Sequence, residues 1–502
     1  MALPRGEARA PGRVPGRSGE PVLYLAGCLH DAIDDLHRLN PSVTGSAAEM
    51  FDRFLGWPAR HTPAYLISTT TAVSIEEATI VKGIGLIHST GQPAVAGSFR
   101  TLVVQPTSFC NLDCTYCYLP DRRSFRLMSG AVAQACAESI AQQNSGHPVS
   151  VVWHGGEPTA TPIGLFRGLL APFEQLRRAG MVRHEIQTNA TLINRQWCEL
   201  FTAYGFEVGV SIDGPGALNQ NRLDRAGNAT DARTLRGMQT LADSGLVYSV
   251  ICVVTLETID QVEALVDFFT GLPGCESVGF NIEEQEGADR APVSEDATYR
   301  FWQRLIARRV GGNALRIRDV DRLADYLAAT RAGHVDHAPY EPTPTVSWDG
   351  QVVLLSPELL GITEPRYGNF IVGNVLQQPV TAMLARAGDL DYVAEFITAL
   401  NDCADHCAFY DFCRGAQAGN RYFEHATFTA RETTYCRTTR QALVRAAADH
   451  LTLKEEPHDQ RSRDPRQRRA RATRPPRRRT GTVGSVNRRG EVRQPPHLGQ
   501  QG

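Results

Sequence analysis

The 502-residue sequence predicts an α/β protein centred on a partial (β/α)6, TIM-like barrel, followed by a cysteine-rich extension. Three observations carry that expectation. From Thr101 onward, short β-rich runs alternate six times with amphipathic helical runs, as parallel strands with right-handed crossovers require. The strands are nearly continuous apolar runs, which suits strands covered on both faces. Seven of the twelve cysteines fall in two blocks, 110–117 and 403–436. A doubly wound open sheet is the alternative for the same units. In either, ligands gather at the C-terminal ends of the strands.

The expected strands are TLVVQ (101–105), VSVVWH (149–154), HEIQT (184–188), EVGVSI (207–212), YSVICVV (248–254) and SVGFNI (277–282). The helices between and after them are expected over 129–143, 162–179, 194–204, 231–244, 259–271 and 296–310. The barrel domain is set at 99–320 and the extension at 321–450, with WDGQVVLL (348–355) as a hairpin turning at Asp349-Gly350 and a last helix over about 438–451. Before the barrel, 1–20 read as a disordered leader. An accessory segment of unassigned role spans 21–98, with strands at PVLYLAG and PAYLIS and a helix over about 47–55 that Ser46 and Glu49 would cap. This segment could help recognise a leader peptide by strand addition.

Residues 451–502 carry thirteen Arg and one Lys against five acids, so the formal charge of −2 hides a tail of +9 and a remainder of −11. The tail has too few apolar residues to offset its chain entropy and reads as disordered. No aromatic residue interleaves its arginines, so nucleic acid is not the expected partner. The first residues lack an apolar h-region and no run approaches a membrane span, so a cytoplasmic location is expected. There, twelve cysteines are not expected to be disulfides.

Cys110, Cys114 and Cys117, spaced C-x3-C-x2-C, fall in the loop after the first strand. A structural zinc site wants four ligands. Three thiolates suit a 4Fe–4S cluster with one iron open to an exogenous ligand; plain burial is the bland alternative. The pattern, with Tyr116 before the third cysteine, resembles the radical S-adenosylmethionine (SAM) superfamily. The resemblance implies that SAM chelates the open iron and that its reductive cleavage yields a 5′-deoxyadenosyl radical.

Other strand ends agree. WHGGEP (153–158) resembles the family's glycine-rich SAM motif: Gly155 and Gly156 allow close backbone approach, and Glu157 can neutralise an ammonium or cap a helix. QTNATL (187–192) offers Thr188 and Asn189, though Ala190 stands where the family often has Gly. VSIDGP (210–215) offers Ser211 and Asp213. Arg222 matches an arginine that meets the SAM carboxylate in related enzymes, with Arg225 as its rival. FNIEE (280–284) brings Asn281, Glu283 and Glu284 to the same rim.

Cys403, Cys407, Cys413 and Cys436 (C-x3-C-x5-C-x22-C) could hold zinc or a 4Fe–4S cluster; spacing alone does not decide. The block resembles the SPASM extension of peptide-modifying radical SAM enzymes. Leu354, Leu355 and Ser356 stand where a further cysteine is usual, so one auxiliary 4Fe–4S cluster is expected rather than two. Cys28, Cys136, Cys198, Cys252 and Cys275 are left, with burial as their default role.

Over about 99–445 the chain is most similar to SPASM peptide maturases of the GRRM type, in segments such as LVVQPTSFCNLDCTYCYLPDRRS, GFNIEEQEGADR and CAFYDFCRGAQAGNRYFEHATF. The resemblance implies a ribosomal precursor peptide as substrate and an external one-electron reductant such as flavodoxin or ferredoxin. It further implies a cyclophane crosslink between an aromatic ring and a side-chain carbon, with Asp213, Glu283 or Glu284 as base. Alternatives on the same scaffold are thioether formation, epimerisation and formylglycine-type maturation. A non-enzymatic iron–sulfur or zinc protein is the alternative of another class.

Overall fold

A computed structural model describes residues 95–143, 145–286, 290–312, 315–331 and 338–452. The expectations placed on 1–94, including Cys28, and on 453–502 lie outside the described residues. By its contacts the chain divides into Met1–Thr452 and Leu453–Gly502; all that follows concerns the first unit.

Six parallel strands form the barrel: β1 Thr101–Val104, β2 Val149–Trp153, β3 Val182–Thr188, β4 Glu207–Ser211, β5 Tyr248–Val254 and β6 Cys275–Ile282. Their crossovers and flank are α1 Gly130–Gln143, α2 Ile163–Leu170, α3 Arg195–Tyr204, α4 Asp231–Asp243, α5 Val262–Thr270 and α6 Glu295–Val310. All six expected strands are present within a few residues of the sequence-based limits. Local chemistry sets several ends. Asn194 caps α3 by accepting from the Trp197 amide, and Gly205 closes it in the left-handed conformation. Ser294 caps α6, with Glu295 and Asp296 in its first turn and Arg308 and Arg309 in its last.

The structure corrects three boundaries. The single helix expected over 162–179 breaks into α2, a 3-10 turn at Ala171–Phe173 and a short helix Glu174–Arg178. Pro172 sits at the break and supplies no backbone N–H. The hairpin expected over 348–355 pairs β8 Thr345–Val346 with β9 Gln351–Val353, and Gly350, at φ +88°, completes its turn. The final helix begins with a π-turn, Cys436–Gln441, before α10 Ala442–Thr452.

The extension is continuous with the barrel sheet. β7 Arg316–Ile317 adds to β6 and leads into α7 Arg318–Arg331. β8 pairs in parallel with β1, and β10 Gly373–Asn374 pairs with β9. The ten-strand order is β10-β9-β8-β1-β2-β3-β4-β5-β6-β7. Beyond it, α8 Asp391–His406 holds Cys403 and ends at Cys407, a short helix Tyr410–Cys413 ends on Cys413, α9 Ala418–His425 packs beside them, and the π-turn opens on Cys436. Trp302 of α6, fully buried, donates its indole N–H to the Thr438 carbonyl at 2.9 Å and ties the block to the barrel.

Candidate active site

Every group of interest lies at the C-terminal ends of the strands or on the extension beside them. The loop after β1 holds Cys110, Cys114 and Cys117, all free thiols. Burial pushes Cys110 up to about 12 and Cys114 up to about 11, and raises Cys117. The three are close enough to add to one another's shifts. The Leu112 amide (3.4 Å) and Asn189 Nδ2 (3.9 Å) donate to the Cys110 sulfur.

Glu157 binds this loop to its neighbours. The buried carboxylate accepts from the Thr159 amide (2.9 Å), the Thr159 hydroxyl (2.5 Å), the Thr188 hydroxyl (2.6 Å) and the Asn189 amide (2.8 Å). It thereby joins the ends of β2 and β3. Gly156 has φ +67°, and a Cβ there would stand 2.6 Å from the carbonyl oxygens of Thr107 and Phe109; the cysteine loop therefore packs on bare backbone. Gly155 lies 3.1 Å, by the same measure, from the Gln105 side chain. Ala190 takes φ +57°, the left-handed region that glycine prefers, which accounts for the family's usual Gly at this place.

Tyr116 donates to Asp213 (2.5 Å) and accepts from Arg222 (2.9 Å), all three set deep in the mouth. Asp213 also accepts from the Val253 amide at 3.0 Å. Burial raises its carboxyl, against the lowering pull of Arg222 and the Tyr116 hydrogen bond. Arg222 keeps a buried Nε without a partner. Arg225 instead braces the loop, donating to the Cys110 and Arg122 carbonyls and lying 4.3 Å over the Phe109 ring. Ser211 accepts from Gln187 at 2.7 Å, and Asn281 accepts from Arg318 at 2.7 Å. Glu283 is held by Arg290.

Glu284 has a different setting. It meets Asn420 of α9, with Glu286 and Glu358 alongside. Burial, with Glu358 adding to it, pushes Glu284 up to about 7, and burial likewise raises Glu286 and Glu358. Glu358 accepts from Ser356. Nearby, Tyr118 and His154 share a hydrogen bond of 3.0 Å. Glu284, Glu286, Tyr118 and His154 are deeply set yet keep some accessible surface. Glu286, Glu358, Tyr118, His154 and Asn420 add to the site residues expected from the sequence. The i, i+2 spacing of Glu284 and Glu286 was the available signal, since such residues share one side of an extended segment.

The second cysteine block lines a cavity of about 240 Å³ with all four thiols: Cys403, Cys407, Cys413 and Cys436. Burial pushes Cys403 and Cys413 up to about 11 and raises Cys407. Arg421 of α9 donates to the Cys403 sulfur (3.5 Å), and Thr433 to the Cys436 sulfur (3.2 Å).

Among the described residues no three His, Cys, Asp or Glu side chains converge as ligands of one ion. Thiolates of an iron–sulfur cubane bind different irons and need not converge on one point. Both thiol sets fit such a group. Desolvated thiols are costly to ionise alone, and a bound metal centre reverses that balance. N–H donors to the sulfurs are a further match.

Comparisons with known proteins agree with this geometry. Residues 104–269 match the model of the radical SAM superfamily. An uncharacterised protein of Synechocystis is 31% identical over 358 residues, covering 68% of this chain and 89% of that protein. The serine-type anaerobic sulfatase-maturating enzyme of Klebsiella aerogenes is 31% identical over 273 residues, 52% of this chain and 67% of that enzyme. The structure of native anSMEcpe with bound AdoMet and Cp18Cys peptide superposes with a TM-score of 0.58 at 22% identity, over 70% of this chain and 98% of that one, and shares the fold. The chain belongs to the radical SAM superfamily, enzymes that bind a 4Fe–4S cluster and SAM. Among the described residues no helix is long and apolar enough to cross a membrane.

Glu157→Gln turns an NH2 group toward donors. The change should cost about 1–3 kcal/mol of stability, read as a lower urea midpoint by circular dichroism. A wild-type midpoint would show that Glu157 does not join these loops.

Proposed function

We propose that this enzyme oxidises a ribosomally made precursor peptide, forming a cyclophane bond between an aromatic ring and a side-chain carbon. The observation that supports a coupled electron and proton removal is a single turn of α9. Asn420 faces the Glu284 carboxyl and Arg421, the next residue, faces the four-cysteine cavity. The crosslink type rests on the GRRM-like segments.

In this reading Cys110, Cys114 and Cys117 hold the radical cluster, and Cys403, Cys407, Cys413 and Cys436 hold one auxiliary cluster. When bound, these groups and SAM supply a hydrogen-abstracting 5′-deoxyadenosyl radical and an acceptor for one electron. The chain's own residues do the rest. Glu157, Thr188 and Asn189 fix the loops around the first thiols, and Gly155 and Gly156 let a ligand approach backbone. Arg222, anchored through Tyr116 and Asp213, offers its unpartnered Nε to a carboxylate. Ser211 offers a hydroxyl at the end of β4. Of the three acids, Glu283 is paired with the Arg290 cation and Asp213 with Tyr116 and Arg222, whereas Glu284 has the neutral Asn420 and a raised pKa, so Glu284 takes the proton. The balance closes: the peptide gives up one hydrogen atom, one electron and one proton for each new C–C bond. An external reductant such as flavodoxin or ferredoxin starts the cycle.

The test is anaerobic reconstitution with SAM and dithionite, then co-expression with a short peptide encoded beside the gene. 5′-Deoxyadenosine should form at least a hundredfold above a Cys114→Ala control, and the peptide should lose two hydrogens per bond. Absence of nucleoside above the control would remove the enzyme reading.

A second reading, oxidation of a side chain to formylglycine, is favoured by the sulfatase-maturating relatives. Conversion of serine also removes two hydrogens. A hydrazide probe separates the two, because only formylglycine carries an aldehyde.

Because Glu284 is held near 7, its ionised fraction rises as pH rises through that value. Crosslink formed per 5′-deoxyadenosine should therefore increase from pH 6 to pH 8, and Glu284→Gln should lower it about 10²–10⁴-fold while SAM cleavage persists. A variant that crosslinks with the wild-type pH profile would exclude Glu284 as the base.

A further inference from the structure

The cavity of the second cysteine block is lined by cations as well as thiols. Arg421 is 1% exposed and Arg440 8%, and both line the same space as the four cysteines. Arg421 uses one terminal nitrogen on the Cys403 sulfur and the Gly415 carbonyl, and its other, Nη1, is buried with no hydrogen-bond partner. Arg440 donates only to the Tyr435 hydroxyl, at 2.8 Å. Its Nε and Nη1 are buried without partners. The guanidinium carbons lie 4.9 Å over the Phe396 ring and 5.4 Å over the Tyr435 ring, which fixes each plane without satisfying its N–H groups. Three buried donor atoms on two cations, beside four thiols, ask for an anion.

The first cysteine triad is balanced differently. Arg122 and Arg222 act on those thiols, but so do Asp113, Asp213 and Glu157. At the second block Arg421, Arg431 and Arg440 act on the thiols against one acid, Glu432, which is exposed and lines the cavity; Glu284 and Asp319 act on Arg440. Asp319 has Arg318 as its own partner.

We infer that Arg421 and Arg440 form a buried cationic cage that raises the reduction potential of a 4Fe–4S cluster held by Cys403, Cys407, Cys413 and Cys436, so that this centre accepts the electron released by the oxidised peptide. The inference rests on the cluster assignment proposed above and not on the identity of the peptide. A cubane with a 2+ core and four thiolates carries two net negative charges, and one added electron brings it to three. Fixed positive charge and N–H donors at the sulfurs favour the more negative state, which is how cluster potentials are tuned. The electron comes from the product radical in turnover, or from dithionite in a titration, and leaves to an external carrier.

The test is a potentiometric titration of the reconstituted protein, without peptide, followed by electron paramagnetic resonance. In Arg421→Gln and Arg440→Gln, the reduced-to-oxidised ratio of the auxiliary signal at a fixed poise should fall at least tenfold, about 59 mV for one electron. Arg440→Lys, which keeps the charge, should fall less. An unchanged midpoint in a Gln variant that holds its iron would overturn the inference. Should the Gln variants fail to hold iron, the wild type decides. Its auxiliary signal should appear at a higher potential than the signal that responds to SAM, and the reverse order would overturn the inference. Zinc rather than iron at the four cysteines would sink the assignment of the site itself, a result separate from an unchanged potential.

Discussion

Holding negative charge away from water is the constraint that organises this molecule. Thiols and carboxyls crowd the C-terminal mouth of the barrel, and burial raises the pKa of most of them. Each needs compensation from something other than solvent. Glu157 finds it in two backbone amides and two hydroxyls. Asp213 finds it in Tyr116, an amide and Arg222. Glu283 has Arg290. The seven cysteines of the two blocks have partial compensation only, in N–H and O–H donors and nearby arginines, and the remaining positive charge is what a cluster's iron would bring.

The barrel and extension share one sheet, and that continuity sets the distance between the two kinds of chemistry. β8 pairs with β1, the strand that leads into the first cysteine loop. β9 leads through Ser356 to Glu358, and β6 leads to Glu284 and Glu286. The carboxyl group is thus built from both edges of the barrel strand array, closed by Asn420. With Arg421 next in sequence, one turn of α9 reaches both the Glu284 carboxyl and the four-cysteine cavity. Under the proposed function, that turn keeps the proton acceptor close to the electron acceptor.

Much of this was legible in the sequence. The six barrel strands stand out because strands buried on both faces are almost purely apolar, and the first cysteine triad because its ligands are local in sequence. Short elements were legible only in part: the Asp349-Gly350 turn marks the hairpin of β8 and β9, but not where it joins the sheet. β8 and β9 span two and three residues, too few to show a period, so their place in the main sheet depends on long-range pairing. Pro172 was a visible break in a helix that the apolar pattern otherwise ran through. At the site, the sequence favoured Arg222 with Arg225 as its rival, and the fold sends Arg222 to Tyr116 and Arg225 to the loop carbonyls. Glu358, Asn420 and Arg421 come from distant segments, and no local pattern announces them.

The reading of the mouth as a radical-generating centre depends on an iron that protein does not saturate. Electron paramagnetic resonance of the reduced protein with Cys403, Cys407, Cys413 and Cys436 all changed to Ser isolates that centre. One 4Fe–4S signal should remain, its g values should shift when SAM is added, and it should vanish when Cys110, Cys114 and Cys117 are replaced too. A signal indifferent to SAM, or one that survives loss of those three cysteines, would contradict the assignment.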